Sequence, residues 1–271
     1  MKRSFLSLIL LCACVFLTRA AVTDTIVVPS ANIPVAAKVT VITPDAAAAD
    51  DSARFPAVYM LNGYGGDNTS WTKIRPDLGA LADRYGMIFI LPSGLDSWYW
   101  DSPVKPELKM ETYMTSDLVP YIDSHYPTDA RPSRRAITGL SMGGHGAFWL
   151  GLRHPDIWRN IGSMSGGLDI KPFPNRWTMK DKLGTIEQYP DNWVNYSAIS
   201  LVPSVQPGTF NITFDCGVDD FFAEVNRDMH RALLKAGIAH DYTERPGAHT
   251  MQYWGNSILY HLLFFNEAFS K

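Results

Sequence analysis

The amino-acid sequence predicts an α/β fold with a mostly parallel central sheet and helices on both faces. Short apolar segments rich in strand-forming residues recur along the chain, and helix-like segments separate them. This alternation is typical of parallel strands, because parallel neighbours need a long crossover connection between them. The predicted strands cover residues 38–42, 57–61, 87–91, 136–140, 161–163 and 210–214.

The helix-like segments complete this pattern. They cover residues 71–85, 111–125, 143–154, 222–236 and 251–269. One stretch, residues 171–204, interrupts the alternation, since it combines several prolines with Trp177 and Trp193. We expect this stretch to form an irregular excursion over the sheet.

The composition is that of an ordinary globular domain, with 46% hydrophobic and 19% charged residues in a chain of 271. No repeat or long linker divides the chain, so residues 21–271 are predicted to form a single domain. The formal net charge is -3 and the basic residues are not clustered, which argues against a nucleic-acid partner. The sequence makes no prediction of the oligomeric state.

Residues 1–20 have the layout of a cleavable signal peptide. Lys2 and Arg3 precede an apolar run at residues 5–17, and small residues follow it. The run is too short to span a bilayer comfortably and no second candidate follows, so no stable membrane insertion is expected. A lipid anchor on Cys14 and a buried helix of the fold are the less favoured alternatives. The sequence therefore predicts a secreted or periplasmic protein.

No metal site is indicated by the sequence. Cys216 is the only cysteine outside residues 1–20, and it lacks a supporting motif, so it is predicted to pack in the core. Neither HExxH nor CxxC occurs, and the acidic residues around Asp219 lack the spacing of a calcium loop. We therefore expect no metal.

The stretch GLSMG, residues 139–143, matches the nucleophile elbow G-x-S-x-G, with Ser141 as its serine. A strand-like run precedes it and a helix-like run follows, as this elbow requires. Residues two before and two after the serine press together in such a turn, which explains the glycines at both places. The first turn of the helix would also direct its dipole at the site. An ordinary strand-to-helix turn is the alternative.

A serine nucleophile needs an acid and a base, and both follow in the required chain order. The stretch FDCGVDDFF offers Asp215, which still belongs to the strand, and Asp219 and Asp220, which lie just beyond it. His249 stands in a loop before the last helix, and its neutral imidazole can accept the serine proton near pH 7. One helix and one short strand fit between this loop and the acidic one. His145, one turn after the serine, is predicted to have a packing or hydrogen-bonding role.

Two backbone N–H groups are predicted to form an oxyanion hole. The first belongs to Met142, directly after the nucleophile. The second belongs to Tyr64, in the glycine-rich loop NGYGG at residues 62–66, which follows an apolar strand. A simple connecting turn is the alternative interpretation of that loop.

Aromatic residues are the candidates for contact with substrate. Trp98, Tyr99 and Trp100 follow a predicted strand and are expected to wall a cleft, and Trp177 and Trp193 are further candidates. The alternative is that aromatic residues in long loops only cover the surface of the fold.

Together these segments resemble the esterase D/feruloyl esterase family of α/β-hydrolases, which includes carbohydrate esterases, S-formylglutathione hydrolases and antigen 85 mycolyltransferases. The resemblance covers most of the predicted domain and is carried by FPAVYMLNGYGG, SWYWDSP, METYMTSDLVPYIDSHYP, RRAITGLSMGGHGA, DCGVDDFF and PGAHTMQYW. It implies an α/β-hydrolase fold with Ser141 as nucleophile and His249 as base. The family acid falls three residues after the motif glycine, Gly217 here, which selects Asp220. The resemblance also implies ester hydrolysis through an acyl-serine intermediate, without a cofactor.

One position departs from the family, which usually has Leu-His-Gly where this chain has Leu61-Asn62-Gly63. Asparagine can also hydrogen-bond nearby backbone, so the loop is expected to keep its shape. Export argues against the cytosolic substrate S-formylglutathione and favours acyl esters of carbohydrates, or other short or aromatic acyl esters. Two alternatives are an acyltransferase with the same triad and a carbohydrate-binding relative without catalysis.

Overall fold

An eight-stranded sheet forms the centre of residues 20–271, the part of the chain that the computed structural model describes. The strands are β1 (Val22–Val27), β2 (Lys38–Thr43), β3 (Ala57–Leu61), β4 (Ile88–Pro92), β5 (Arg135–Gly139), β6 (Asn160–Met164), β7 (Asn211–Gly217) and β8 (Asp241–Arg245). Their order across the sheet is β1-β2-β4-β3-β5-β6-β7-β8. The pairs β1–β2 and β2–β4 are antiparallel and the other pairs are parallel, which confirms the predicted mostly parallel sheet.

All six predicted strands are present, with small shifts at their ends, and two more complete the edges. Strand β8 is the short strand expected between the acidic loop and the histidine loop. Strand β1 was not predicted. Its side chains are mostly exposed, so it lacks the buried apolar face that makes a strand visible in sequence.

The helices lie between the strands and after them. They are α1 (Ser70–Ile74), α2 (Leu78–Tyr85), α3 (Met110–Thr112), α4 (Val119–His125), α5 (Met142–Arg153), α6 (Lys180–Leu183), α7 (Pro190–Asn195), α8 (Ala223–Lys235) and α9 (Met251–Phe269). A π-helical segment (Tyr113–Leu118) joins α3 to α4, and 3-10 turns cover Asp45–Ala48, Pro132–Arg134 and Ala198–Ser204.

The prediction of one helix over residues 71–85 is wrong, because α1 and α2 are separate. Pro76 follows Arg75, whose backbone angles of φ -132° and ψ 85° lie outside the helical region. A proline ring disfavours helical geometry in the residue before it, so the first helix ends there. The excursion over residues 171–204 contains α6, α7 and a 3-10 turn, all of them short.

The central strands are buried on both faces. On one face Tyr59 and Ile137 pack in a cluster with Phe148 of α5. On the other face, Val58 and Ala136 belong to a second cluster, which includes residues of α1, α2 and α9. This double burial explains the nearly continuous apolar runs that predicted the strands. It also leaves the carboxyl ends of β3, β5 and β7 as the edge where loops meet.

The signal peptide predicted for residues 1–20 lies outside the described residues, except for Ala20. Among residues 20–271, no helix combines the length and the apolar character that a membrane crossing requires. Cys216 is fully buried on β7, in agreement with its predicted place in the core.

A buried carboxylate, Glu111, ties helix α3 to the end of helix α5. It accepts hydrogen bonds from Trp149 Nε1 at 2.8 Å, Arg153 Nε at 2.8 Å and His154 Nε2 at 2.7 Å. Burial alone would raise the pKa of Glu111, but these hydrogen bonds, with that of His154 the largest, outweigh burial and lower it. The ionised carboxylate is therefore part of the folded structure.

We expect Glu111→Gln to lower the free energy of unfolding at pH 7 by about 2 kcal/mol, since charge-assisted bonds are lost. The lowered pKa of Glu111 stabilises the native fold above the unfolded-state pKa, and this stabilisation is lost as the pH falls through the folded-state value. The difference in unfolding free energy should therefore shrink as the pH falls below about 5. Urea unfolding followed by tryptophan fluorescence measures the unfolding free energies of the native protein and the variant. The substitution Glu107→Gln, at an exposed position, is the control. An unchanged stability at pH 7 would contradict this account.

Candidate active site

Ser141 occupies the tight turn between β5 and α5. Its backbone angles, φ 57° and ψ -119°, are unfavourable for a residue with a side chain. The N–H of Ser141 donates to the Met164 carbonyl at 3.0 Å, and the Ser141 carbonyl accepts from His145 at 3.1 Å. These two hydrogen bonds, one with Met164 and one with His145, hold the strained turn. The serine hydroxyl projects from this turn above the edge of the sheet.

The glycines around the serine are required by close backbone contacts. A Cβ on Gly139 would overlap the carbonyl group of Gly143. A Cβ on Gly143 would lie 2.5 Å from the Leu61 carbonyl oxygen and 2.7 Å from that of Asn62. The crowding predicted from the sequence is therefore present, and it includes the end of β3 as well.

Three of the predicted site residues meet at this edge of the sheet. His249 Nε2 lies 2.9 Å from Ser141 Oγ, and His249 Nδ1 lies 2.8 Å from Asp220 Oδ2. A carboxylate can only accept hydrogen bonds, so Nδ1 carries the proton and Nε2 is left to accept one from the serine. This geometry lets the imidazole take the hydroxyl proton while the carboxylate stabilises the cation that results.

Asp220 is the carboxylate that reaches the histidine. Its side chain is fully buried, and its Oδ1 accepts the N–H of Phe222 at 2.8 Å. Asp219 is exposed. Asp215 is used elsewhere, because it is buried against His261 and Arg245, at 3.0 and 3.2 Å.

Aromatic rings fix the orientation of the His249 ring. Phe221 lies 4.2 Å away between ring centroids, and Trp254 meets the imidazole edge-on at 4.8 Å. Phe222 approaches the same ring at 5.6 Å. The histidine is thus held by packing as well as by its two hydrogen bonds, and its side chain is only 17% exposed.

The glycine-rich loop after β3 lies against the serine turn. A Cβ on Gly63 would lie 3.3 Å from the Cβ of Ser141. Within residues 20–271, the backbone N–H groups of Tyr64 and Met142 form no hydrogen bond. Both of the predicted oxyanion donors are therefore free to bind a ligand atom beside the serine.

A cavity of about 750 Å³ opens above Ser141 and His249. Its lining includes an aromatic wall of Phe173, Trp177 and Phe221, and the loop containing Tyr64. Within the described chain, no three His, Cys, Asp or Glu side chains are grouped so that they could hold a metal ion.

The aromatic residues Trp98, Tyr99 and Trp100 do not line this cavity, so their predicted contact with substrate is wrong. All three are at most 1% exposed. Trp98 and Tyr99 have positive φ values of 59° and 63°, and this tight coil turns the side chains into the core below the site. Of the two further candidates, Trp177 lines the cavity and Trp193 is buried.

His145 has the packing role that was predicted for it. It is completely buried, and burial lowers its pKa to about 4. Trp100 Nε1 donates to its Nε2 at 2.9 Å, so its Nδ1 carries the proton and donates to the Gly167 carbonyl at 2.9 Å. Asn62 makes the hydrogen bond to nearby backbone that was expected of it, but sequence reasoning missed that this fully buried residue also accepts from Gly94 and so connects the glycine-rich loop to the core.

The fold and the serine turn define a serine hydrolase of the α/β-hydrolase class. The family model described as "Putative esterase" matches residues 30–265. The chain therefore belongs to this esterase family, in agreement with the resemblance found in its sequence.

Relatives with known names agree with this assignment. The chain is 28% identical over 220 residues to an acetyl esterase of Caldicellulosiruptor saccharolyticus, covering 77% of this chain and 82% of the relative. It is 26% identical to S-formylglutathione hydrolase of Mus musculus, covering 64% and 67%. A solved ferulic acid esterase superposes with a TM-score of 0.79 at 25% identity, covering 92% of this chain and 98% of that one.

We expect Gly143→Ala to lower the free energy of unfolding by about 1–3 kcal/mol and to reduce activity strongly, because a methyl group there meets backbone atoms. Gly79→Ala is the matched control. It lies in helix α2 with its nearest neighbour at 3.5 Å, so alanine should be neutral or stabilising there. Thermal unfolding measures the stability of both variants. Equal melting temperatures for the two variants would contradict the close contact at the turn.

Proposed function

We propose that the protein is a serine carboxylesterase in which Ser141, His249 and Asp220 form the catalytic triad. The observation that carries this proposal is the continuous hydrogen-bonded chain from Asp220 through His249 to Ser141 at the floor of a cavity. A serine hydroxyl becomes an effective nucleophile only when a base takes its proton, and this chain supplies that base.

In the first half of the reaction, Ser141 Oγ attacks the ester carbonyl and His249 Nε2 accepts its proton. The N–H groups of Tyr64 and Met142 bind the oxyanion that develops on the carbonyl oxygen. The protonated His249 then gives its proton to the leaving alcohol, and the acyl group stays on the serine.

The second half of the reaction releases the acid. Water enters the position that the alcohol has left, and His249 takes a proton from it as it attacks the acyl-serine carbonyl. The same two N–H groups bind the second oxyanion. Collapse of the intermediate returns the proton to Ser141 and frees the acid, so no cofactor is needed.

The proposed substrates are short or aromatic acyl esters, including acyl esters of carbohydrates. A cavity of about 750 Å³ has room for an acyl group together with part of an alcohol, and its aromatic wall suits a planar ring. The similarity to an acetyl esterase and to a ferulic acid esterase supports this class. The signal peptide proposed for residues 1–20 would place the enzyme outside the cytoplasm, where such esters are found.

We expect Ser141→Ala to abolish hydrolysis of p-nitrophenyl acetate and methyl ferulate while the protein stays folded, because the variant has no nucleophile. A fluorophosphonate probe should label the native enzyme and not this variant. Ser204→Ala removes an exposed hydroxyl and serves as control. Hydrolysis by the Ser141 variant at the native rate would rule out the proposed mechanism. If the native enzyme transfers the acyl group to an added alcohol in place of hydrolysing the ester, the protein is an acyltransferase instead.

Asp220→Asn and Asp219→Asn form a matched pair that tests the acid. The amide at position 220 no longer fixes the productive tautomer of His249 or stabilises its cation, so kcat should fall at least about a hundredfold. The exposed Asp219 has no such contact, and its variant should keep kcat within about twofold. Steady-state kinetics at pH 7.5 measure both. A larger loss in the Asp219 variant would reverse the assignment.

A further inference from the structure

The peptide unit between Gly63 and Tyr64 carries one of the two proposed oxyanion donors. Its carbonyl, on Gly63, accepts a hydrogen bond from Asn62 Nδ2 at 2.8 Å and a second from the Gly66 N–H at 3.1 Å. The carbonyl and the N–H of a trans peptide point in opposite directions. Holding the carbonyl therefore directs the Tyr64 N–H away from the Asn62 amide.

The orientation of the Asn62 amide is fixed by the groups around it. The Gly94 N–H donates to Asn62 Oδ1 at 2.9 Å, and the Tyr99 hydroxyl donates to the same atom at 3.1 Å. A backbone N–H can only donate, so Oδ1 must face Gly94. The Nδ2 group is then the one that faces Gly63.

Burial makes this arrangement rigid. Asn62 and Tyr99 are both completely buried. A Cβ on Gly146 of helix α5 would overlap the Tyr99 ring, so this ring packs directly against the helix that begins after Ser141. Rotation of the Asn62 amide would leave buried polar groups without partners, which is unfavourable.

We propose that Asn62 is a positioning residue that aims the Tyr64 N–H at the oxyanion. The inference rests on the proposed function, in which Tyr64 and Met142 are the donors. Asn62 is fully buried and does not line the cavity, so it acts through the peptide whose carbonyl it binds. Its loss should therefore weaken binding of the transition state much more than binding of the substrate.

Asn62→Asp tests this role with almost no change of volume. The introduced carboxylate, when ionised, can still accept from Gly94 and Tyr99 but cannot donate to the Gly63 carbonyl. Because a buried carboxylic acid that keeps its proton can donate there, the assays are run at about pH 8.5, where the ionised form is favoured. We expect kcat for phenyl acetate to fall about 10- to 100-fold with KM within about twofold, since one oxyanion donor is misdirected. Asn68→Asp is the matched control, because Asn68 is also buried but donates to Thr40 Oγ1.

A sulfur substrate separates this role from a structural one. O-phenyl thionoacetate has the same leaving group, but its thiocarbonyl sulfur is a weak hydrogen-bond acceptor and gains little from the Tyr64 N–H. The ratio of kcat/KM for phenyl acetate to kcat/KM for the thionoester should fall about tenfold or more in Asn62→Asp and stay at the native value in Asn68→Asp. This ratio does not depend on the fraction of protein that is folded.

The outcomes are distinct. An unchanged ratio in Asn62→Asp, or an unchanged kcat, overturns the positioning role. If Asn62→Asp yields no folded protein, Asn62→Ala replaces it and the same fall in the ratio is expected, with an unchanged ratio again overturning the proposal. Ser141→Ala, measured in the same series, tests the proposed function separately, because hydrolysis surviving in that variant refutes the triad whatever the Asn62 variants show.

Discussion

The close approach of three backbone segments at the serine turn is the constraint on which the rest of the site depends. The ends of β3 and β5 and the start of α5 come so near to one another that Gly139 and Gly143 leave no space for a Cβ. This contact forces Ser141 into its unusual backbone conformation and brings the loop containing Tyr64 beside it. The nucleophile and both proposed oxyanion donors are therefore positioned by one packing contact, within the rigid part of the fold.

Much of the architecture was predictable because its signals are local. Strands buried on both faces appear as apolar runs, and the serine turn has glycines at fixed spacing. The sequence motifs also located Ser141 and His249, and the family resemblance selected Asp220 from three candidate acids; the structure brings these three residues together. The order of these residues along the chain follows from the topology, since β5, β7 and the loop after β8 end at one edge of the sheet.

Two of the features that sequence reasoning missed depend on long-range packing. Trp98, Tyr99 and Trp100 have the composition of a substrate wall, yet left-handed backbone at two of them turns the side chains into the core. The two groups that donate to Asn62 Oδ1 lie 32 and 37 positions away, at Gly94 and Tyr99, and no local pattern reveals them. Strand β1 was missed because it has no buried face. The break before helix α2 did have a local signal, Pro76, which outweighs the apolar periodicity across it.

His145 has a consequence for the electrostatics around the nucleophile. Its ring lies on the helix that begins after Ser141, and its low pKa, about 4, keeps it neutral through mildly acidic and alkaline solution. A second imidazolium on this helix would repel the cation that the proposed mechanism forms on His249. Because burial keeps His145 uncharged, this ring adds no positive charge near Ser141, and the proposed proton transfers to and from His249 meet no repulsion from it.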